Sequence, residues 1–364
     1  MKKYDIKQYC LIPPPYGGIT VYVSRLITRL NIDGISTGGF YSSDNKDSVL
    51  RESPLFDEIN YNPKASKIKR LLGHVQRIIT VLHYRLIHFH GLEMMIIPWI
   101  LRNCFKKTIV VTVHSAMIVD FYNATSRMNR FFLRKLATSD SYWIAVSEQA
   151  KEEMYKLPFH FKHKIPVIPA YIPVIHAEKD MLSETMTNYI KSHKKNISFY
   201  GRSFMTYNNQ DVYGFTTIID LYSRVVKKLG VEIGLVFCLS ENTEKNKIDE
   251  LHRFAKEKGI DALMFWQIGP LNSLQPLWLN TDVYVRPTYT DGDSVAVREA
   301  LDAGMVVIAS NVCPRPKGVD TYDFGSMDDL ELKCITALQD NHRTAKVNDN
   351  YYEKMKAIYL ELLK

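Results

Sequence analysis

Two successive series of alternating strand-like and helix-like segments, with a proline-rich stretch between them, restrict this chain to few architectures. Thr108–Val113 (TIVVTV) is an unbroken apolar and β-branched run, the mark of a strand buried on both faces. Around it the first series predicts a strand over 6–12, a Pro/Gly turn, and a helix over 19–31. A short apolar run follows over 86–89, then a helix from Leu92 and a strand over 142–146. Ser147 can N-cap the next helix, with Glu148 in its first turn. Residues 158–180, with Pro158, Pro166, Pro169 and Pro173, read as a linker. The second series predicts strands over 196–200, 231–239, 263–266, 283–286 and 306–309. Its helices are expected over 212–228, 245–258, 274–280 and 294–303, with a last helix over 351–363. Alternation of this kind implies parallel sheets with helices on both faces. Two such Rossmann-like halves are expected to place a ligand in a cleft beside the carboxyl ends of the strands.

A length of 364 residues suits two domains. The expected division is 1–172, 173–345, and a C-terminal helix at 346–364 that packs back on the first domain. Hydrophobic residues at 46% and charged residues at 24% exclude fibrous and disordered classes. Cys10, Cys104, Cys238, Cys313 and Cys334 are scattered, with no C-x-x-C, which argues against a zinc site or disulfide framework and for a reducing compartment. The N-terminus has no signal-peptide core, and the apolar stretch 94–101 is too short to span a bilayer and contains Pro98. The net charge of +8 is uneven: residues 1–180 hold 25 Lys+Arg against 15 Asp+Glu, and the rest hold 22 against 24. A basic half fits nucleic acid, an anionic membrane or an anionic substrate, and spread-out lysines also serve solubility alone. It shows no helix-turn-helix, zinc or aromatic RNP pattern, so no nucleic-acid partner is expected.

The most informative segment is 282–310, DVYVRPTYTDGDSVAVREALDAGMVVIAS. A buried strand ends at Pro287, a polar loop follows, and a helix starts near Asp293 or Ser294. Helix starts offer free backbone N–H groups and partial positive charge, which suit phosphate. Glu299, about one and a half turns in, can accept both hydroxyls of a ribose, and Asp291 in the loop can reach a sugar hydroxyl. A capped Rossmann helix with a solvated Glu would read the same way.

This segment resembles the E-x7-E region of retaining glycosyltransferases of family 4, which have the GT-B fold. The residues that carry the likeness are Asp291, Gly292, Asp293 and Ser294, then Glu299-Ala300, then Gly304, Val307, Ile308 and Ala309. Asp291 replaces the usual first Glu, shortening its reach by one methylene, and Val306 replaces the usual Pro. Gly17-Gly18 resemble the family's N-terminal glycine loop, where a side chain would block close approach to a diphosphate. Thr112-Val113-His114 resembles its T-x-H, whose His approaches the donor sugar. Gly201-Arg202 resembles its G-R motif, whose Arg and a following Lys neutralise the diphosphate; Arg suits phosphate through its planar fork. Residues 203–213 hold no Lys or Arg, and Tyr213-Gly214 falls where the family has Lys-Gly. Arg286 and Arg298 are the nearest substitutes in sequence. Gly269-Pro270 resembles the loop that receives the nucleotide base.

The resemblance implies an α/β, GT-B chain with two Rossmann-like parallel-sheet domains facing across a cleft. It implies a retaining hexosyltransferase acting in bacterial cell-surface polysaccharide synthesis. The expected donor is a nucleotide sugar, UDP- or GDP-linked, and the acceptor a glycan or polyprenyl-linked glycan. The residues carried over as catalytic are His114, Arg202, Asp291 and Glu299. Those carried over as donor-binding are Gly17, Gly18, Gly201, Arg202, Gly269, Pro270, Asp291, Gly292, Asp293, Ser294, Val295, Arg298 and Glu299. No cofactor or metal is expected: Asp291-Gly292-Asp293 is a D-x-D, but at a helix start Asp293 or Ser294 is more simply an N-cap. Residues 64–86 carry a basic amphipathic helix pattern, which fits an anionic membrane surface or a core-facing helix with a basic outer face. The expected location is cytoplasmic, with peripheral contact on the inner membrane face. Two rivals stand beside this reading: a sugar-nucleotide 2-epimerase of GT-B fold, and a degenerate nucleotide-sugar-binding partner protein, which the missing Lys favours.

Overall fold

A computed structural model describes residues 4–13, 17–42, 52–59, 75–173, 181–241, 243–291, 294–340 and 351–364. Two units result: Met1–Ile175 with Asn350–Lys364, and His176–Asp349. The first is built on β1 (Tyr4–Leu11), β2 (Thr37–Ser42), β3 (Asp57–Ile59), β4 (Tyr84–Phe89), β5 (Thr108–Val113) and β6 (Tyr142–Ala145). These form one sheet of order β3-β2-β1-β4-β5-β6, parallel throughout. The order reverses between β1 and β4, so the ends of those strands flank a topological switch point. Helix α1 (Gly18–Ile32) follows β1. Helices α2 (Ile96–Asn103), α3 (Ile118–Ala124), α4 (Arg127–Ala137) and α5 (Glu148–Tyr155) follow β4, β5 and β6.

Helices on both faces explain why β5 reads as continuously apolar. On one face Ile87, Phe89, Ile109 and Val111 pack with Leu101 of α2, Leu133 of α4 and Met154 of α5. On the other, Ile6, Leu86 and Val110 pack with Leu26 of α1. Ser126 and Ser147 cap α4 and α5 by accepting the N–H of Asn129 and Ala150.

Two expectations fail here. The helix expected from Leu92 starts at Ile96, because residues 93–95 form a turn with Met94 at φ +59°. The expected linker is not one over its described part, 158–173. Ile165, Ile168 and Ile172 are buried in the first unit, and Val167 bridges to Ala145 of β6. Prolines there favour extended backbone, which serves a strand-like rim as well as a tether. Strands β2 and β3 went unread.

The second unit repeats the plan. Its sheet contains β7 (Lys195–Gly201), β10 (Ile233–Leu239), β11 (Met264–Ile268), β12 (Val283–Arg286), β13 (Val306–Ser310) and β14 (Val319–Tyr322), and a hairpin is formed by β8 (Thr206–Tyr207) and β9 (Gln210–Asp211). The order is β11-β10-β7-β12-β13-β14, again parallel, with the switch point between β7 and β12. The helices are α6 (Glu184–Lys191), α7 (Phe215–Leu229), α8 (Lys245–Glu257), α9 (Gln275–Asn280), α10 (Val295–Asp302) and α11 (Met327–Gln339). Phe199, Phe237 and Val285 pack with Phe215 and Tyr222 of α7 on one face. Tyr284 and Val307 pack with Trp278 of α9 and Val297 of α10 on the other. Helix α7 starts at Phe215 rather than the expected 212. The Asp211 carboxylate accepts the N–H groups of Tyr213 (2.9 Å) and Phe215 (2.6 Å), and Gly214 takes a left-handed φ of +74°.

The last helix, α12 (Tyr351–Leu362), belongs to the first unit. Tyr352 and Lys356 both reach Asp33 just past α1, at 2.6 and 2.5 Å, and Tyr359 is fully buried.

Candidate functional site

In the second unit every described candidate lies at a carboxyl end of the sheet or on a segment leaving one. Arg202 follows β7, Gly269 and Pro270 follow β11, and Asp291 follows β12 and leads to α10. Gly292 and Asp293 lie outside the described residues. Ser294 caps α10 and its hydroxyl accepts the Val297 N–H. The first N–H groups of that helix, at Val295 and Ala296, stand outside the intrahelical ladder. Glu299 is buried at 9% exposure. Its charge is felt at Tyr200, whose hydroxyl is pushed up to about 12, first by burial. Arg298 begins the intrahelical ladder, donating its N–H to the Ser294 carbonyl.

The two helix starts at the switch point differ. Helix α7 has its own anion, Asp211, on its first N–H groups, whereas α10 is capped by a neutral hydroxyl. An anionic ligand therefore meets less competition at α10.

The loop before α10 is organised by charge. Asp291 lies between two guanidinium groups: Arg286 Nε at 3.1 Å and Arg315 Nη1 at 2.8 Å from Oδ2, with Arg286 Nη2 at 3.3 Å from Oδ1. All three side chains are at most a tenth exposed. Burial by itself would raise the Asp291 pKa, but the two arginines outweigh it and hold the carboxyl below its ordinary value. Arg315 also reaches the Ser310 carbonyl (2.9 Å) and Thr288 Oγ1 (3.1 Å), and Arg286 reaches the Tyr200 carbonyl (3.3 Å). Asp291 is thus the shared counter-charge of two buried guanidinium groups, and the three side chains together carry one net positive charge. Tyr213 lies under the Arg286 guanidinium with the ring centre 5.1 Å away. Arg315 went unread in the sequence, since its partner lies 24 residues away with no local signal.

Other motif residues have structural reasons. A Cβ on Gly201 would fall 2.5 Å from the Phe215 ring, so close packing of helix on strand demands glycine there. Gly269 needs glycine for its φ of +118°. Arg202 is half-exposed and faces Glu241 at 3.3 Å. Gly17 is the N-cap residue of α1 in extended backbone, and Gly18 is the first helical residue.

His114, at the end of β5, is joined by residues that the sequence reading missed. His90 Nδ1 lies 3.0 Å from His114 Nε2, and His90 Nε2 lies 2.8 Å from Gln8 Oε1. His88 bonds Tyr359 and Thr112. Burial drives His114 down to about 3. His88 and His90 fall well below the usual imidazole value, through burial first and then neighbouring histidines. The detectable signal was the H-F-H at the end of β4: residues two apart on a strand share a face.

Residues 16–174 match the family model described as Glycosyltransferase Family 4. Solved structures resemble the whole chain. HepE of Anabaena, in complex with UDP and glucose, has a TM-score of 0.71 at 13% identity, covering 99% of this chain and 96% of that one. The fold is GT-B. A glycosyltransferase from Rickettsia africae gives 0.70 at 14% identity and covers all of both chains. The apo form of the lipopolysaccharide outer core galactosyltransferase WaaB gives 0.64 at 15%, covering 98% of this chain and 99% of that one. No curated protein matches the chain. The candidates thus sit at the strand ends of two GT-B sheets.

Proposed function

We propose that this chain is a retaining glycosyltransferase. It moves a hexose-type sugar from a nucleotide-diphosphate sugar to a glycan or lipid-linked glycan in bacterial surface-polysaccharide synthesis. The observation that carries the reading is the switch point of the second sheet, where the start of α10, the buried Glu299 and the positively charged Arg286–Asp291–Arg315 cluster come together. The family match over 16–174 supports it, as do the resembling structures of HepE in complex with UDP-glucose and of WaaG, a glycosyltransferase involved in lipopolysaccharide biosynthesis.

In this mechanism the Ser294 and Val295 N–H groups and Arg202 stabilise the leaving diphosphate, an electrostatic role worth several kcal/mol. Glu299 accepts the ribose hydroxyls, and Asp291 orients the donor sugar. The acceptor oxygen bonds to the anomeric carbon as the bond to the diphosphate breaks, and the acceptor proton passes to the leaving phosphate. No metal takes part.

A thermal-shift panel of UDP, GDP, ADP and their sugars, with magnesium or EDTA, tests the donor site. One nucleotide class is expected to raise the melting temperature equally in both, since binding to the folded state stabilises it. A shift abolished by EDTA would sink metal independence. A shift with no release of nucleotide from any sugar donor would favour the degenerate partner protein, the reading that the missing lysine supports, and no shift at all would sink the donor site.

The chain works at the inner face of the cytoplasmic membrane. Cys10, Cys104, Cys238 and Cys334 are free thiols, which suits a reducing compartment. Most of the 64–86 segment lies outside the described residues, but 75–81 is helical, with Val75 and Ile79 exposed beside Arg77 and Val81 buried. Flotation with anionic liposomes at low salt is expected to carry the protein up and to lose it as salt rises. Protein left at the bottom at low salt would remove the membrane contact.

A further inference from the structure

Two histidines stand in the interior of the first unit among uncharged neighbours. His88 of β4 is fully buried, and His90, just past the end of that strand, is 5% exposed. Their ring centres lie 4.1 Å apart, and the His114 ring lies 5.3 Å beyond His90. The Gln8 amide of β1 lies 2.8 Å from His90 Nε2, and the Thr112 hydroxyl of β5 lies 2.7 Å from His88 Nε2. From α1, the Tyr22 ring lies 6.0 Å from His90. From α12, the Tyr359 hydroxyl lies 2.5 Å from His88 Nδ1 and 3.1 Å from the Gln8 amide. Burial pushes both of these tyrosines up, and it pushes the Cys10 thiol, two residues along β1 from Gln8, up to about 12, so all three keep their protons. The charged groups of the flanking elements are engaged elsewhere. Glu93 is felt at Cys10, Arg25 reaches the Ile172 carbonyl, and Arg29, Asp33 and Lys356 gather at Tyr352.

An imidazolium here would carry its charge out of water with nothing of opposite sign to meet it. Burial first, then the neighbouring histidines, hold both rings well below the usual imidazole value, so the folded state keeps them neutral. The amide and the hydroxyls are uncharged whichever way they point, so this balance does not depend on the direction of any hydrogen bond. A histidine that is neutral when buried and titrates near about 6.5 when exposed takes up its proton only in an opened state. The stabilisation it lends is complete above that value and is lost as pH falls below it, opening being favoured about tenfold per pH unit for each ring. What opens is set by what covers the rings. Strands β1, β4 and β5 hold one another by their ladders. The cover over His88 is α12, one helix of 12 residues seated through Tyr352, Met355 and Tyr359. Its other clamp is Asp33, whose carboxyl is held below its ordinary value by hydrogen bonds from Lys356 and Tyr352 and stays ionised throughout that range.

We propose that His88 and His90 form an acid-operated latch: with both rings neutral they seat α12 on the first unit, and their protonation on mild acidification releases the helix through Tyr359. The latch lies wholly within the first unit, so it stands whether or not the second unit binds a nucleotide sugar.

The test is hydrogen–deuterium exchange of the full-length protein between about pH 7.5 and about pH 5, with rates corrected for the intrinsic effect of pH. Below about pH 6, protection of the α12 amides is expected to fall about 100-fold per pH unit, the signature of two protons, while β5 stays protected. Glutamine keeps an amide donor and an acceptor but does not titrate. In the His88→Gln/His90→Gln double variant the dependence is therefore expected to drop to about tenfold per unit or less, the share left to His114. Either single variant should remove one factor of about ten, and reads the latch if the double variant fails to fold. Asp33→Asn is expected to lower protection at every pH and to keep the parent's slope. A parent slope below about tenfold per unit, or an unchanged slope in the histidine variants, overturns the proposal. Loss of protection in β5 together with α12 also overturns it, because the whole unit then unfolds and no helix is released. A slope abolished by Asp33→Asn would place the titrating group at that carboxylate and overturn it as well.

Discussion

Asp291→Ala is expected to destabilise the second unit by about 3–5 kcal/mol, because it leaves two buried guanidinium groups without their shared counter-charge. In a unit of this size that corresponds to a fall in melting temperature of at least about 6 °C. Arg315→Met should cost less, since Asp291 keeps its contacts to Arg286 at 3.1 and 3.3 Å and the pair that remains is neutral. The order of the two variants is the sharper test. Equal losses, or an Asp291→Ala melt within about 2 °C of the parent, would show that the cluster is not held by this charge balance. The pH dependence has a definite sign. The Asp291 carboxyl is depressed by its arginines, so its contribution is present above the unfolded carboxyl pKa and is lost as pH falls through the folded one. The gap between parent and Asp291→Ala should therefore narrow on acidification.

What the sequence disclosed and what it hid divide along a physical line. β5 and β12 were legible to the residue, as Thr108–Val113 and Val283–Arg286, because both are buried on two faces and so are rich in apolar and β-branched residues without polar alternation. β2 was illegible: TGGFYS looks like a loop. Yet a Cβ on Gly38 would fall within 1.8 Å of the Leu55 carbonyl, so its glycine marks a close approach within the first unit. The start of α7 was misplaced because Asp211, the last residue of the hairpin, accepts the first N–H groups of the helix and Gly214 caps it with a left-handed φ, a local cap that apolar periodicity does not show. The site followed the same rule. Ser294 and Glu299 stand at positions of a helix start and were readable as such. Arg315, Gln8 and Tyr359 act through partners 24 or more residues away, which no local pattern announces.

Glu299→Ala is expected to lower kcat/KM for the nucleotide sugar by about 10²–10⁴ while the fold survives. A carboxylate that accepts two ribose hydroxyls makes two charged hydrogen bonds, each worth roughly 1.5–3 kcal/mol. A purely structural Glu299 would behave differently. It is buried in α10 between Val297, Ala300 and Leu301, so a packing role would appear chiefly as a lower melting temperature with near-normal kinetics in the folded fraction. Glu299→Gln separates the two. It keeps the volume and one acceptor oxygen but loses the charge, so a ribose ligand should lose most of its catalytic efficiency and a packing residue almost none. The thermal shift given by the bare nucleoside diphosphate should fall in parallel, because the ribose is common to donor and product. Unchanged kinetics in both variants would remove Glu299 from the donor site. The start of α10 and the Arg286–Asp291–Arg315 cluster would then be left to bind a phosphate without a sugar-recognising partner beside them. A full shift by nucleotide with slow turnover would instead place Glu299 in the reaction and outside ground-state binding, since only interactions stronger in the transition state than in the bound substrate raise kcat.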